Sequence, residues 1–388
     1  MEELGKRFPL ISKIILNNID NKSLANFRKA SKENRNFLDN ERFYWIRHIN
    51  KYSANFEEFK DSWKKVVNKT PVNFLKNLAF DVHSFFNGIS TRYEKQWDPL
   101  FIGAERGSLS LCEHVVERTG DISPKLIGNG LTPLGLASQE GHLEICAFLI
   151  EHLDDKNPEE NDGGTPFHRA AQRGHFEVCK LLLDHLDDKN PRDNEGWTPL
   201  HQAAISGHLE ICKVIVMHLG NKNPSNNDGL TPLHSAAYYG HLEMCKLLIS
   251  DLDDKNPGCH NQRTPLHYAA QNGQVEICKL LMECSDNKNP EDVNGQTPLH
   301  LAATKGQLDV YKLIIQYLNN INPSNFGGWT SLHLASFYGH FELCEFISES
   351  IEDLNPYTNT GKTPIYLAND RNHRAIVSLL RLAQIKNS

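Results

Sequence analysis

The pair Thr-Pro returns at positions 132, 165, 198, 231, 264 and 297, and the same register holds Thr330-Ser331 and Thr363-Pro364, each 33 residues after the last. A fixed period of that size is the mark of one small supersecondary unit copied and stacked, each copy touching only its neighbours. Such a chain has no single interior in which to bury an active site. Its function is expected to be carried by a long surface. The period also removes a difficulty of size, because 388 residues exceed what one ordinary core holds.

The unit spanning residues 193–225 shows how the copy works. Thr198 suits a helix N-cap, with Pro199 at the first helical position, where its missing N–H and fixed φ do no harm. His201 falls three residues after the cap, where Glu or Gln usually bonds back to it. Ala203 and Ala204 keep the short helix slim, and Gly207 is placed to end it in a left-handed conformation. A second helix is expected from about His208, with Leu209, Ile211, Cys212, Ile215 and Val216 as its apolar stripe, stopped by Asn221–Pro224. Asn227-Asp228-Gly229 then signals a hairpin-like finger leading to the next Thr-Pro.

Several residue series look like chemistry until they are set in register. Cysteine recurs at 112, 146, 179, 212, 245, 278 and 344, and Tyr311 fills the same slot once. One thiol per unit, with packed helices about 10 Å apart, leaves neighbours too distant for a disulfide or a shared metal. A core role follows. Cys259 and Cys284 lie outside the series and are expected to be more exposed. Histidine occupies two slots, 168, 201, 234, 267, 300 and 333 in the Thr-Pro turn and 142, 175, 208, 241, 340 and 373 at the start of the second helix, where hydrogen bonding and capping are expected. His152, His185 and His218 form a third series. No metal-site spacing, phosphate loop or nucleophile elbow appears, so neither cofactor, metal nor catalysis is expected. The Asp-Asp-Lys steps at 154, 187 and 253, with Lys156, Lys189, Lys222, Lys255 and Lys288, are expected to form a solvated, self-paired ladder.

Forty-one basic against 48 acidic residues give a net charge of −7, which argues against a nucleic-acid or anionic-membrane partner. No apolar run reaches the roughly 18 residues of a membrane span. The opening residues, MEELGKRFPL, lack the apolar stretch of a secretory signal, and a cytoplasmic or nuclear setting is expected.

The repeated motifs resemble the ankyrin repeat. TPLH stands at 198, 231, 264 and 297, with TPFH at 165 and TSLH at 330, and Gly-His-(Leu/Phe)-Glu recurs at 141, 174, 207, 240 and 339. A degenerate copy, DPLFIGAERGSLSLCEHVVE, occupies 98–117. The resemblance implies an all-α solenoid of helix–turn–helix units with short β-hairpin fingers. It implies nine units: 98–130 (degenerate), 131–163, 164–196, 197–229, 230–262, 263–295, 296–328, 329–361 and a C-terminal cap, 362–388. The polar Asp370, Arg371, Asn372, Arg374 and Arg381 suit that cap, whereas Leu100, Phe101, Leu109, Leu111, Val115 and Val116 suit packing against what precedes them. One departure is steady. Where the family closes its second helix with Gly-Ala-Asp, this chain reads Leu-Asp-Asp-Lys-Asn-Pro, as at 186–191, so a different helix end with the fold kept is expected.

The resemblance also implies a protein target held on the concave face, by the finger tips and first helices. The register assigns to that face Trp197, Ile205, Ser206, Tyr238, Tyr239, Arg263, Tyr268, Trp329, Phe337 and Tyr338. Large aromatics and Arg in slots that the scaffold leaves open are the residue types that dominate interfaces. Their alternative role is stacking on neighbouring repeats. A non-enzymatic, monomeric interaction protein is expected.

Residues 1–97 lack the period. The stretch PLISKIILNNIDNKSLANFRKASKENRNFLDNERFYW within residues 1–50 resembles an F-box, through Pro9, Ile15-Leu16, Ile19-Asp20, Ser23-Leu24, Phe27, Ala30-Ser31-Lys32, Phe37-Leu38 and Trp45. It departs in the spacing of Pro9, in the missing acidic residue after it, and in Asn34, where the family carries tryptophan. The resemblance implies that Pro9, Ile15, Leu16, Ile19, Leu24 and Phe27 dock onto the Skp adaptor of a cullin-RING ubiquitin ligase, and so reach a cullin. A three-helix cap to the stack is the other reading of the same apolar pattern. Residues 51–97 are expected to form a helical linker packing on the first repeat.

Overall fold

The computed structural model describes residues 99–387, apart from Ile127 and Asp251. The F-box-like segment, with its candidate residues Pro9, Ile15, Leu16, Ile19, Leu24 and Phe27, and the 51–97 linker lie outside the described residues. What is described is all helical, in two units: 99–124 and 125–387. The first holds α1 (Pro99–Arg106) and α2 (Leu109–Thr119), with Leu100, Phe101, Leu111, Cys112 and Val115 buried.

The second unit is a run of helix pairs in register. They are α3 (Pro133–Glu140) with α4 (Leu143–His152), α5 (Pro166–Arg173) with α6 (Phe176–His185), and α7 (Pro199–Ser206) with α8 (Leu209–Met217). Next come α9 (Pro232–Tyr239) with α10 (Leu242–Ile249), α11 (Pro265–Gln271) with α12 (Val275–Cys284), and α13 (Pro298–Lys305) with α14 (Leu308–Ile315). The last pairs are α15 (Ser331–Tyr338) with α16 (Phe341–Ser350), and α17 (Pro364–Asp370) with α18 (Arg374–Asn387). First helices pack on first helices and second on second, so the core is a continuous seam. Leu200, Ala203, Ala204, Ile211, Cys212, Ile215 and Val216 fill one layer of it, while Leu209 is half-buried.

A histidine ties each layer to the next. Thr198 caps α7, and its backbone N–H donates to Nδ1 of His201 at 3.2 Å, with the hydroxyl 2.9 Å from the same nitrogen. Nδ1 is therefore the acceptor, and the proton sits on Nε2, which donates to the Leu230 carbonyl of the following repeat at 3.0 Å. The same bridge runs from His168 to Trp197, His234 to Arg263, His267 to Gln296, His300 to Trp329 and His333 to Lys362. The other histidine series reaches backward: Nε2 of His175, His208, His241, His340 and His373 meets the carbonyl of Gln139, Gln172, Ile205, Thr304 and Phe337. Close approach is needed for it. At Gly207, φ is +79°, and an added Cβ would lie 2.6 Å from the His241 ring.

The Asp-Asp-Lys step is a helix end, not the self-paired surface ladder expected from the sequence. Lys189 Nζ donates to the Leu183 and Leu186 carbonyls at 2.5 Å, capping α6, and Lys156, Lys255 and Lys288 do the same for α4, α10 and α12. Of these, Lys255 reaches one carbonyl, that of Ile249, and the other three reach two; each ammonium meets the helix's negative end, where free carbonyls need donors. The second aspartate closes an Asx turn (Asp188 to the Asn190 N–H, 2.9 Å), and Asn190 Oδ1 then accepts the N–H of Leu200 in the next first helix. This is the altered helix end with the fold kept.

The fingers form tight turns, and no strand occurs among the described residues; Ser324 and Thr330 make one isolated bridge. The expected β-hairpin fails for a local reason. Asp193 N–H donates to the Trp197 carbonyl, but the returning Trp197 N–H is taken by the Asp193 side chain at 2.8 Å. Successive fingers are joined by one backbone bond each, such as Asn194 N–H to Asp162 O. An asparagine amide adds a second tie at Asn161, Asn194, Asn227 and Asn359, whereas His260, Val293 and Phe326 fill that register position between them. Gln262 sits at φ +59° in a slot that is glycine in the other fingers of the second unit.

Two outcomes follow for stability. Burial lowers the His201, His234 and His267 pKa values from 6.5 to about 4, and also lowers those of His168, His300 and His333. The unfolded chain therefore binds more protons below pH 6.5. Stability is full above that pH and falls as pH drops towards 4, by about 2 kcal/mol at pH 5 for each of His201, His234 and His267. Urea midpoints measured between pH 7 and pH 4 check this; a flat profile contradicts it. In the same assay Gln262→Gly should raise stability by about 1 kcal/mol at pH 7, by relieving a left-handed side-chain residue.

Candidate protein-interaction face

The first helices present their last turn and the fingers their closing residue on one face, because the capping motif fixes which side chains point into the seam. Two aromatic groups form there. Tyr238 meets Tyr239 edge-on at 4.9 Å and Tyr268 at 6.2 Å, and Tyr268 stands edge-on to His234 at 5.7 Å. Trp329 meets Phe337 at 5.7 Å, Phe337 meets Tyr338 at 5.0 Å, and the Arg371 guanidinium lies 4.0 Å from the Phe337 ring centre. Tyr239 and Tyr338 occupy the same slot three repeats apart, or about 30 Å at 10 Å per packed layer.

Exposure divides these rings into solvent-facing and scaffold-packed ones. Tyr239 is 52% exposed and Tyr338 51%, each stacked at 6.4 Å on the histidine two residues on. Tyr238 is also exposed, whereas Tyr268 and Phe337 are half-buried, and burial pushes the Tyr268 phenol up to about 12. Trp197 and Trp329 are half-buried against the capping histidines of their own helices, His201 and His333, and their carbonyls accept the bridges from the preceding repeat. Ile205 and Ser206 are half-buried and hold the slots of Tyr238 and Tyr239 one repeat earlier.

Arginine on this face is partly spoken for. Arg263 Nε pairs with the buried Asp292 carboxylate at 3.0 Å and its Nη2 donates to Gln296, while Arg169 makes a two-point contact with the buried Glu160. The polarity of Arg371 suits the cap, but its guanidinium lies over Phe337, a contact that polarity alone does not signal. The signal was available, since 371 follows Tyr338 by one period. Val293 and Phe326, 47% and 66% exposed, stand on the fingers outside the closing slot next to the Thr-Pro step.

The residues of apparent chemistry are interior. All seven cysteines of the series are buried and none forms a disulfide, with Cys146, Cys245, Cys278 and Cys344 pushed up to about 12 by burial. Tyr311 is buried in the same slot and donates to the Ile321 carbonyl. Cys284 is exposed as expected; Cys259 is buried, because it takes the finger position held by Asp193 and Asn226 elsewhere. No cluster of potential metal ligands occurs among the described residues, and no described helix is long and apolar enough to cross a membrane.

A family model described as ankyrin repeats (3 copies) matches the chain in overlapping windows from 100–193 through 314–387. The chain belongs to the ankyrin-repeat family. No curated protein matches it individually. Ankyrin repeats are protein-interaction modules, and the array is thus a scaffold for binding proteins. Replacing Tyr238 and Tyr239 together with alanine should weaken target binding by about 2 kcal/mol or more while leaving the thermal unfolding of the array within about 0.5 kcal/mol of the parent. Calorimetric titration and circular dichroism check the two halves, and undiminished affinity contradicts the assignment.

Proposed function

We propose that the chain is a non-enzymatic adaptor, in which the ankyrin array holds a protein target and residues 1–50 deliver it to the Skp adaptor of a cullin-RING ubiquitin ligase. The observation that carries the first half is the exposed Tyr238–Tyr239 pair, set beside Tyr268 in slots that hold Gln172-Arg173 and Ile205-Ser206 in the two preceding repeats. The second half is supported by the sequence skeleton Ile15-Leu16, Ile19-Asp20, Ser23-Leu24 and Phe27. In this reading the chain supplies proximity, holding a target beside a ligase that performs the chemistry. It acts as a monomer in the cytoplasm or nucleus and contributes no reacting group. A scaffold without a ubiquitin role is the second reading, favoured by Asn34 and by the spacing of Pro9.

Co-expression of the full chain with the Skp adaptor separates the two. The adaptor should co-purify with the parent and be recovered at least tenfold less with Ile15→Asp, Ile19→Asp and Leu24→Asp combined, the array still melting normally. Recovery that survives the triple change, or no recovery with the parent, removes the ubiquitin ligase role and leaves the scaffold.

A further inference from the structure

The chain carries a net charge of −7, and Glu144, Glu177, Glu210, Glu243, Glu276, Asp309 and Glu342 stand in the first turns of its second helices, with Glu210 and Glu243 paired to Lys213 and Lys246. The interaction face in the last three repeats runs the other way. Lys305, Tyr338 and Arg371 occupy one register position, and Gln296, Trp329 and Lys362 another, with Asp370 the one carboxylate among the face positions there. Arg169 and Arg263, nearer the start, are neutralised by buried Glu160 and Asp292. By contrast, Arg371 lies over Phe337 at 4.0 Å and Lys362 over Tyr366 at 5.6 Å, and Lys305 and Arg371 are exposed. A cation held over an aromatic face keeps its charge for a ligand, and the ring beside it is a ready apolar anchor point.

We propose that this cluster docks an acidic peptide segment of the partner protein, an extended stretch with one apolar or aromatic residue between carboxylates. The proposal rests on the array's binding a protein target and names the chemistry of that target. Its spacing follows from the stack. Lys305, Tyr338 and Arg371 are one repeat apart, about 10 Å per layer, and an extended chain advances about 3.3 Å per residue. The fitting pattern is therefore acid, two residues, apolar anchor, two residues, acid. The anchor lies among Trp329, Phe337 and Tyr338, and the carboxylates meet Lys305 and Arg371. Single-stranded nucleic acid also uses cations and stacked rings, but its charges fall at every nucleotide, far closer than these cations, and the acidic remainder of the chain repels a polyanion.

A random peptide library displayed on phage and selected on the full chain tests this, followed by fluorescence anisotropy of the recovered peptides. Recovered peptides should be acidic with an apolar residue between carboxylates. Their affinity should fall at least tenfold in a Lys305→Glu, Lys362→Glu, Arg371→Glu variant and likewise in Tyr338→Ala, with unchanged melting. Basic or neutral peptides, acidic peptides indifferent to these changes, or no enrichment at all overturn the proposal. Peptides that depend on Tyr238 and Tyr239 alone overturn it while leaving the array's role as a binding face intact. A labelled oligothymidine strand that binds with the same sensitivity overturns it in favour of nucleic acid.

Discussion

A neutral imidazole engaged at both nitrogens is the interaction on which the stack depends. In His201 one nitrogen accepts from the Thr198 cap and the other donates to Leu230 of the next repeat. The start of a first helix and its junction with the following unit are thus one hydrogen-bonded system, and neither is complete without the other. Short helices of seven to ten residues are marginal alone. Here their ends are satisfied by groups from the adjoining copy, which is why the period must be exact in register and not merely in composition.

Much of this was legible in the sequence. Thr-Pro-x-His, with Thr-Ser-x-His at 330–333, states a cap, a first turn and a returning side chain, and all six such histidines sit where that pattern puts them. The helix ends at glycine and the buried cysteine series were legible for the same reason, since each depends on residues a few positions apart. Partners of the Nε2 atoms were not, because they lie 29 residues ahead or 36 behind and are backbone carbonyls, which leave no trace in residue type. The lysine of Leu-Asp-Asp-Lys-Asn-Pro misled for a related reason. Next to two aspartates it reads as a surface ion pair, yet its long chain folds back to helix carbonyls six residues earlier.

On the interaction face the register identified candidate positions, and the structure sorted them. Tyr238, Tyr239 and Tyr338 are presented to solvent, whereas Trp197 and Trp329 lean on capping histidines and lend their carbonyls to the scaffold. Arg263 similarly serves its own finger through Asp292. An aromatic or arginine in an open slot therefore signals either a ligand contact or a local repair. A buried partner, as Asp292 is for Arg263, marks the second.

The row of finger amides carries a mechanical meaning. Asn161, Asn194 and Asn227 each add a side-chain bond to the backbone bond joining one finger to the one before, and Asn359 does so at the far end. At His260, Val293 and Phe326 only the backbone bond remains, and the Arg263–Asp292–Gln296 contact reinforces just one of those three junctions. The middle fingers are thereby joined by fewer side-chain bonds than those at either end, although the bridges from His234, His267 and His300 still cross these junctions. The residue at this register position thus decides how many bonds a finger junction has, and it varies while the repeat period does not.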